Sequence, residues 1–374
     1  MLEPEIYVSA AQNATPERDT LRPLTRIWQE MLGIESIGPS ENYFDLGGDS
    51  ILAVQLFIRI EREFGVKLPL ATLFDAPTIR ELAEILQRET SATGWAPLVA
   101  IQPDGSRPPL FCIHGADGNV FIYRNLSRHL GPDQPFYGLQ ARGLDGSCPP
   151  LTRIEDMAAL YIKEIRRAQP HGPYFLGGYC MGGTIAFEVA QQLQAAGERI
   201  ALLALFDTTD WSNIPVPSFW GKCYRSAERL VFHAANFFRL DSLGKAKFFS
   251  EKAIAFRNRI PVWRGMLFAT FGKHSRARIS EFRVSGQIWR ANDLACVNYV
   301  PKPYTGVIAD FRPMKQYRMY DQPSAKWDLL AQGGHDVVIL PVYPAGMLLN
   351  PFVEHLAVAL NKSMDDAIRG FQIS

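Results

Sequence analysis

Hydrophobic residues recur at two spacings along the chain, and the spacing changes near residue 90. Between residues 20 and 88 they fall three or four positions apart, which is typical of amphipathic helices. The pattern is clearest in three stretches, which predict a small all-α bundle: residues 24–32, 51–64 and 79–86. The polar residues 1–19 are assigned to an N-terminal tail, and residues 89–97, without an apolar period, to a flexible linker.

From Pro109 onward, short apolar runs alternate with helical stretches. Five runs are typical of buried parallel strands: Leu110–Ile113, Phe136–Leu139, Tyr174–Leu176, Ile200–Phe206 and Val337–Leu340. Helical periodicity over residues 154–168 and 184–196 separates several of these runs. The alternation predicts an α/β domain over residues 98–374, built on a doubly wound, mostly parallel sheet.

The alternation stops between about residues 211 and 303, where the chain is rich in aromatic and basic side chains. This segment is predicted to form inserted helices, either as an ordinary packed subdomain or as a cover for a ligand. The preceding strand ends just before Asp207, so the insert would begin at the carboxyl edge of the sheet, where ligands bind in open α/β folds. We therefore expect residues 211–303 to form a substrate-covering lid.

Composition argues against several classes of function. The chain has 39 basic and 38 acidic residues, which gives no electrostatic case for nucleic acid or an anionic membrane as a partner. No apolar run approaches the roughly 20 residues of a membrane span, and the N-terminus does not resemble a signal peptide. The five cysteines lack the spacing of a zinc site or a disulfide framework. We expect no metal and a reducing, cytoplasmic location.

Residues 178–182, Gly-Tyr-Cys-Met-Gly, lie between a predicted strand and a helix rich in small residues. A strand, a Gly-x-nucleophile-x-Gly turn and a helix form the nucleophile elbow of α/β-hydrolases, whose glycines are needed because the turn is sharp. Cys180 stands where this motif normally has serine. At the start of a helix its thiolate form is expected to be favoured. The alternative is a buried, unreactive cysteine.

A second motif, FDLGGDSILAVQL, spans residues 44–56. Taken alone, Asp49 and Ser50 could simply cap a helix. The whole string resembles the phosphopantetheine attachment site of thiolation, or peptidyl-carrier, domains in nonribosomal peptide synthetases, and the resemblance covers residues 20–88. It implies that Ser50 carries 4′-phosphopantetheine through a phosphodiester, added by a phosphopantetheinyl transferase. The helix start beside Ser50 would favour the added negative charge.

The strings PLFCIHGADG, LLALFDT and PFVEHLAVAL, together with the elbow, resemble the type I thioesterases that end such synthetases. The resemblance implies an oxyanion hole formed by the N–H groups of Ala116 and Met181, and Asp207 as the acid of a catalytic triad. As a bare Asp after a strand, Asp207 could otherwise form a turn. His114 lies in the loop after the first strand of the family pattern and is expected to be structural.

The histidine base of this family is missing from its usual place. The family has a string like Pro-Gly-Asp-His-x-x-Met-Leu-x-x-Pro after its last strand, whereas residues 341–351 are Pro-Val-Tyr-Pro-Ala-Gly-Met-Leu-Leu-Asn-Pro. Aligned on Met347 and Pro351, the histidine position holds Pro344.

Four other histidines are candidates for that missing base. His335 is expected to open the last strand, roughly 16 Å from the strand end that faces the site. His355 is expected on the surface of the terminal helix. His233 and His274 fall in the predicted lid and would reach the site only if the lid folds down.

A cysteine nucleophile depends less on a base than a serine does, because a thiol ionises more readily. The resulting acyl-enzyme is a thioester and keeps its acyl-transfer energy. Cysteine at the elbow occurs in relatives that form β-lactones and β-lactams, including the sulfazecin-type monobactam synthetases. We therefore expect a peptidyl substrate, delivered by upstream modules of the same synthetase, to be released by intramolecular cyclisation. A β-lactam is the favoured product; a β-lactone, a macrocycle, hydrolysis to a linear peptide and a non-catalytic acyl-holding module remain alternatives.

Overall fold

The computed structural model describes residues 16–48, 50–88, 96–208, 276–314, 325–342 and 346–373. These residues fall into two compact units, one ending at residue 88 and the other beginning at residue 96. None of the helices within these ranges has both the length and the apolar character that a membrane crossing requires.

The first unit is a bundle of helices around an apolar core. Its helices are α1 (Pro16–Leu32), α2 (Ser50–Phe64), α3 (Thr72–Asp75) and α4 (Ile79–Arg88). Their apolar stripes meet in a centre where several side chains are completely buried, among them Leu24, Trp28, Leu56, Ile60 and Leu82. The three predicted helices are confirmed, and α3 is an addition of a single turn.

Helix α4 begins at a reciprocal cap that its sequence encodes. The backbone N–H of Thr78 donates to the carboxylate of Glu81 at 3.1 Å, and the N–H of Glu81 donates to the hydroxyl of Thr78 at 3.2 Å. This capping box satisfies two N–H groups that the first turn of a helix leaves free.

The described residues of the second unit include a seven-stranded sheet. Its strands are β1 (Leu98–Gln102), β2 (Leu110–Ile113), β3 (Phe136–Leu139), β4 (Tyr174–Tyr179), β5 (Ile200–Phe206), β6 (Ile308–Pro313) and β7 (His335–Leu340). They lie in the order β1-β3-β2-β4-β5-β6-β7, and every neighbouring pair is parallel except β1 with β3. The predicted doubly wound, mostly parallel sheet is confirmed.

Helices connect these strands and flank the sheet. They are a 3₁₀ turn (Phe121–Tyr123), α5 (Arg124–Leu130), α6 (Ile154–Ala168), α7 (Met181–Ala195), α8 (Arg276–Asn298), α9 (Ala325–Leu330) and α10 (Val353–Ile373). One core cluster joins β2, β4 and β5 to α6 and α7, with fully buried Phe111, Leu176, Leu203, Ile185 and Phe187 at its centre.

Most predicted elements have the expected bounds, but β1 and β6 were not predicted. Strand β6 has the sequence Ile-Ala-Asp-Phe-Arg-Pro, and its two charged residues, Asp310 and Arg312, interrupt the apolar run that marks a buried strand. They pair with each other: the Nε of Arg312 donates to Asp310 Oδ2 at 2.8 Å. Strand β4 also extends three residues past its predicted end, because the apolar criterion stopped at the glycines before the elbow.

The predicted lid lies largely outside the described residues, which resume at residue 276. Its described part is mainly α8, whose inner face contributes Ile288, Ala295 and Cys296 to the buried interior. Tyr299, one residue beyond α8, donates a hydrogen bond to Glu188 of α7 at 2.7 Å. This end of the insert is therefore packed firmly against the domain.

Candidate active site

Cys180 lies at the turn between β4 and α7 in a strained backbone conformation. Its φ of 57° and ψ of −121° are rare for a residue with a side chain. Two hydrogen bonds fix this turn: the Cys180 N–H donates to Phe206 O at 2.9 Å, and the Gly183 N–H donates to Cys180 O at 3.2 Å. Strain of this kind persists only where the surroundings hold it, and it is concentrated at functional sites.

The elbow glycines are required by close backbone contacts. A Cβ on Gly178 would lie 2.2 Å from the carbonyl of Gly182, and a Cβ on Gly182 would lie 2.2 Å from the carbonyl oxygen of Ile113. These approaches leave room for hydrogen only. The packing of α7 onto β2 and β4 therefore depends on both glycines.

The ionisation of Cys180 differs from the expectation that the start of a helix favours its thiolate form. Burial, followed by the negative charge of Asp207, raises the pKa of Cys180 to about 12. The N–H of Met181 at the start of α7 bonds to the thiol and acts in the expected direction, but its effect is smaller. The expectation was wrong because loss of solvation outweighs one helix N–H group.

Asp207 follows β5 directly and also has a positive φ, 46°. Its N–H donates to Phe311 O of β6 at 2.9 Å, which fixes the residue at the carboxyl edge of the sheet. Burial, and then the charge of Asp310, raise the pKa of Asp207 to about 7. Its carboxyl group can therefore both accept and donate a proton near neutral pH.

Two further carboxylates contribute to the field at Cys180. Burial raises the pKa of Asp117, in the loop after β2, to about 6. The charges of Asp117 and of Asp293 on α8 both raise the pKa of Cys180, by less than Asp207 does. Several acids and no described imidazole thus influence this thiol.

His114 is buried beneath the loop that holds Ala116. Its Nδ1 lies 2.6 Å from Gly115 O, and its Nε2 lies 2.6 Å from the hydroxyl of Tyr161. Burial lowers the pKa of His114 to about 4, so the ring is neutral at physiological pH. Because a carbonyl only accepts, the proton is on Nδ1, and Tyr161 donates to Nε2. These contacts agree with the expected structural role.

Ala116 and Met181 are the predicted oxyanion-hole residues, and each lies beside a strand end of the same sheet. Met181 opens α7, and Ala116 is in the loop that leaves β2. The carbonyl of Ala116 accepts a hydrogen bond at 2.9 Å from Nδ2 of Asn292, a residue with 1% exposure on α8. Sequence reasoning missed Asn292. The available signal was a polar residue on the otherwise apolar inner face of a helix.

The histidine candidates do not provide a described base. His335 opens β7 as expected, with Nε2 3.1 Å from Asp310 Oδ2 and Nδ1 paired with Asp328. His355 is exposed on α10, as expected. The other two candidates, His233 and His274, and the proline at the usual base position, Pro344, lie outside the described residues. Within the described ranges no group of three or more His, Cys, Asp or Glu side chains could hold a metal ion.

In the first unit, a tight turn precedes α2. The Gly48 N–H donates to Tyr43 O at 2.9 Å, and a Cβ on Gly48 would lie 2.3 Å from the Tyr43 ring. Gly47 has a φ of 89°, which favours glycine. This turn brings the chain to Ser50, the first residue of α2. A serine hydroxyl can form a phosphodiester, and the start of a helix favours the negative charge that the phosphodiester adds.

Comparison with known families identifies both units. Residues 22–86 match the phosphopantetheine attachment site family, and residues 108–213 match the thioesterase domain family. These two matches support the assignment of the chain as a carrier–thioesterase didomain. The first match indicates a covalently attached 4′-phosphopantetheine.

Known synthetases are similar to this chain over a small part of their length. The didomain is 46% identical over 187 residues to malpinin synthetase of Mortierella alpina, which covers 50% of this chain and 2% of that protein. It is 39% identical over 210 residues to a dimodular nonribosomal peptide synthase of Bacillus subtilis, which covers 56% of this chain and 9% of that protein. The didomain thus corresponds to a small part of these relatives.

Two solved structures share its fold. A holo four-domain nonribosomal peptide synthetase bound to AMP and glycine matches with a TM-score of 0.57 and 24% identity, over 96% of this chain and 27% of that chain. The NocB thioesterase domain in covalent complex with a fluorophosphonate nocardicin G analogue matches with a TM-score of 0.51 and 19% identity, over 72% of this chain and 100% of that chain. Together with the thioesterase match, these similarities assign the second unit to the α/β-hydrolase fold.

Proposed function

We propose that this didomain is the terminal module of a nonribosomal peptide synthetase, which transfers a peptidyl group from its carrier domain to Cys180 and releases it by intramolecular cyclisation. The observation that carries the proposal is the strained Cys180 in its Gly-Tyr-Cys-Met-Gly turn, with φ of 57° directly before the start of α7. A reactive side chain held in this conformation at a helix start is the hallmark of a nucleophile elbow.

Ser50 is the proposed attachment residue. It is the first residue of α2, after a turn that only glycine permits at Gly48. When bound, 4′-phosphopantetheine supplies a thiol that carries the peptidyl group as a thioester. The protein around Ser50 fixes the point from which this arm extends.

Asp207 is the proposed base for acylation. At neutral pH part of the Asp207 population is ionised, whereas Cys180, with a pKa of about 12, is protonated. Complete proton transfer from the thiol to this carboxylate would be uphill by roughly 7 kcal/mol, taking 1.36 kcal/mol per pKa unit. We therefore infer that the proton moves to Asp207 while the sulfur bonds to the thioester carbonyl. The N–H groups of Ala116 and Met181 would receive the negative charge on the carbonyl oxygen.

The step ends when the bond from the carbonyl carbon to the departing thiolate breaks. Asp207 returns its proton to that sulfur, so Cys180 is left as a thioester and the carboxylate is regenerated. In release, a nucleophile within the peptidyl group attacks the Cys180 thioester and gives its proton to Asp207. The Cys180 sulfur leaves and recovers the proton, which restores the starting site.

The proposed product is a strained ring, and a β-lactam is favoured. The support is chemical: an acyl-cysteine keeps the energy of a thioester, which ring closure needs and which an oxygen ester would have lost in part. A β-lactone or a macrocycle would use the same acyl-enzyme.

Intact-protein mass spectrometry of the phosphopantetheine-loaded didomain tests the proposal. A peptidyl thioester carried on Ser50 should appear as an acyl group on Cys180, and the released product should be lighter by one water than the linear acid. The Cys180→Ala variant should keep the acyl group on the carrier. Release of the linear acid alone would contradict cyclisation and indicate hydrolysis. Failure of the wild type to acylate Cys180 would indicate an acyl-holding module, which the high thiol pKa would then explain.

A further inference from the structure

The peptide groups on both sides of Ala116 are held by hydrogen bonds. On the N-terminal side, Gly115 O accepts from the Gly118 N–H at 3.0 Å and contacts His114 Nδ1 at 2.6 Å. A trans peptide is planar, with its N–H opposite its C=O, so a fixed Gly115 carbonyl also fixes the direction of the Ala116 N–H. The donor proposed for the oxyanion hole is therefore restrained from one side by its own loop.

The restraint on the other side comes from a distant helix. The Ala116 carbonyl accepts from Asn292 Nδ2 at 2.9 Å, across 176 residues of sequence. Asn292 has 1% exposure, so water does not compete for this bond. A buried amide without a partner is unfavourable, and its side chain therefore has a strong preference for this contact.

A close contact between α8 and the same loop supports this arrangement independently. A Cβ on Gly118, whose φ is 83°, would lie 2.8 Å from Cγ2 of Ile288. Ile288 is one turn before Asn292 on the same face of α8 and is fully buried. The helix thus lies directly against the loop, and Gly118 makes that approach possible.

We propose that Asn292 is a positioning residue that holds the carbonyl side of Ala116, and so keeps this residue in place while its N–H, directed by the Gly115 carbonyl, receives the acyl oxygen during transfer to Cys180. The inference rests on the proposed function, because it requires Ala116 to act in the oxyanion hole. Asn292 does not touch the reacting atoms. It acts by fixing the Ala116–Asp117 peptide, whereas the bonds of the loop itself to Gly115 O fix the Gly115–Ala116 peptide, so that Ala116 is held on both sides.

Two reactions of Cys180 separate positioning from general structure. Acylation by an aminoacyl thioester of N-acetylcysteamine builds negative charge on an oxygen and needs the oxyanion hole, whereas alkylation by iodoacetamide does not. Loss of one oxyanion donor slows catalysis by about 10²–10³-fold, and a misdirected donor should have a smaller effect. We expect Asn292→Ala to slow acylation about 10–100-fold and to change the alkylation rate less than twofold, both mapped to Cys180 by peptide mass spectrometry.

Two further variants guard against a packing artefact. Asn292→Leu keeps the shape of the side chain without the donor and should slow acylation as much as Asn292→Ala. Tyr299→Phe removes the hydrogen bond that ties the chain just after α8 to Glu188, away from the loop, and should leave acylation close to wild type.

The possible results have distinct meanings. Equal slowing of acylation and alkylation, or slowing by Tyr299→Phe comparable with that by Asn292→Ala, would overturn the inference in favour of simple helix packing. Normal acylation in Asn292→Leu would overturn it as well. If wild-type Cys180 accepts no acyl group while iodoacetamide still labels it, the proposed function fails and the inference falls with it. That result is visible in the wild type alone.

Discussion

Asp310 and Asp207 are carboxylates on and beside neighbouring strands, but their surroundings differ. Asp310, with 1% exposure, accepts from Arg312 Nε at 2.8 Å and lies 3.1 Å from His335 Nε2. The described residues give Asp207 no ion pair, and the pKa of Asp207 rises to about 7 through burial and the charge of Asp310. The buried charge of Asp310 is therefore balanced by Arg312, whereas the ionised form of Asp207 is disfavoured by its surroundings.

The comparison separates a carboxylate that is paired inside the sheet from the carboxylate that we propose to be catalytic. Strand pairing aligns Phe206 with Phe311 and Phe311 with Val338, so His335 lies three residues before this level, about 10 Å along the strand. This distance is shorter than the roughly 16 Å expected from the length of the strand, but His335 remains at its opposite end. Its imidazole is engaged by two carboxylates there. An uncompensated acid at the carboxyl edge of the sheet reduces stability and has the proton affinity that the proposed base needs near neutral pH, a combination that marks functional sites.

The largest expected effect is loss of the nucleophile. Cys180→Ala should reduce acyl transfer at least about 10³-fold, because without the sulfur no acyl-enzyme forms. The measurement is the rate at which a loaded carrier loses its acyl group, followed by mass spectrometry. Retained turnover in this variant would show that the elbow is not the reacting site. It would also remove the proposed difference in role between Asp207 and the Asp310 cluster, which consists of Asp310, Arg312 and His335.

Asp207→Asn should reduce acylation about 10²-fold and abolish its dependence on pH near 7. In the wild type the rate should rise with pH through about 7, because the carboxylate is the form that accepts the proton. A wild-type profile that stays flat between pH 5.5 and 8.5 would argue against Asp207 as the base.

The same substitution should stabilise the fold at alkaline pH. The folded protein keeps the Asp207 proton up to about pH 7, whereas the unfolded chain, with a carboxyl pKa of 3.8, loses it earlier. Asp207 therefore lowers the free energy of unfolding as pH rises from about 4 to about 7. Asp207→Asn removes this penalty, on the order of 4 kcal/mol at pH 8 for a shift of about 3 pKa units, which chemical denaturation can measure.

Backbone crowding at the elbow should give two glycine-to-alanine substitutions opposite effects on the free energy of unfolding. Gly182→Ala would bring a Cβ to within 2.2 Å of a backbone oxygen and should lower the free energy of unfolding by about 3 kcal/mol or more. Gly286→Ala, on α8 with no atom of the described residues within 4 Å of its Cβ, should raise the free energy of unfolding by about 0.5–1 kcal/mol. Equal effects at the two positions would contradict the tight elbow.

The smallest effect on catalysis is expected at the Asp310 cluster. His335→Ala should lower the free energy of unfolding by about 1–2 kcal/mol through loss of its hydrogen bonds. Acylation of Cys180, measured well below the unfolding temperature, should stay within about threefold of wild type. A loss similar to that of Asp207→Asn would instead make His335 part of the proton pathway.

Local patterns predicted most of the fold. Strands β2, β3 and β5 and helix α6 have the bounds that apolar runs and helical spacing indicate. The spacing in the first unit likewise predicted its three main helices. Strand β6 was missed because Asp310 and Arg312 compensate each other inside the sheet, which a residue-by-residue hydropathy pattern does not register.

A feature of the site could be predicted when it follows from a short stretch of sequence, and could not when it depends on segments that are distant along the chain. Contiguous motifs predict Cys180 at a strand-to-helix turn and Asp207 directly after the next strand. Both residues lie at these places in the structure. The contact between Asn292 and Ala116 joins positions 176 residues apart, so no local motif could indicate it.

The sequence by itself indicated the two domain families, the elbow with its cysteine and most of the strands and helices, because these follow from short contiguous patterns. Only the tertiary structure decided the protonation of the site and the support of its loops. Burial and neighbouring carboxylates raise the pKa of Cys180, and helix α8 holds the Ala116 loop. The loss of solvation at a group, and the charges near it, depend on which distant segments of the chain come together, and this is determined only when the chain folds.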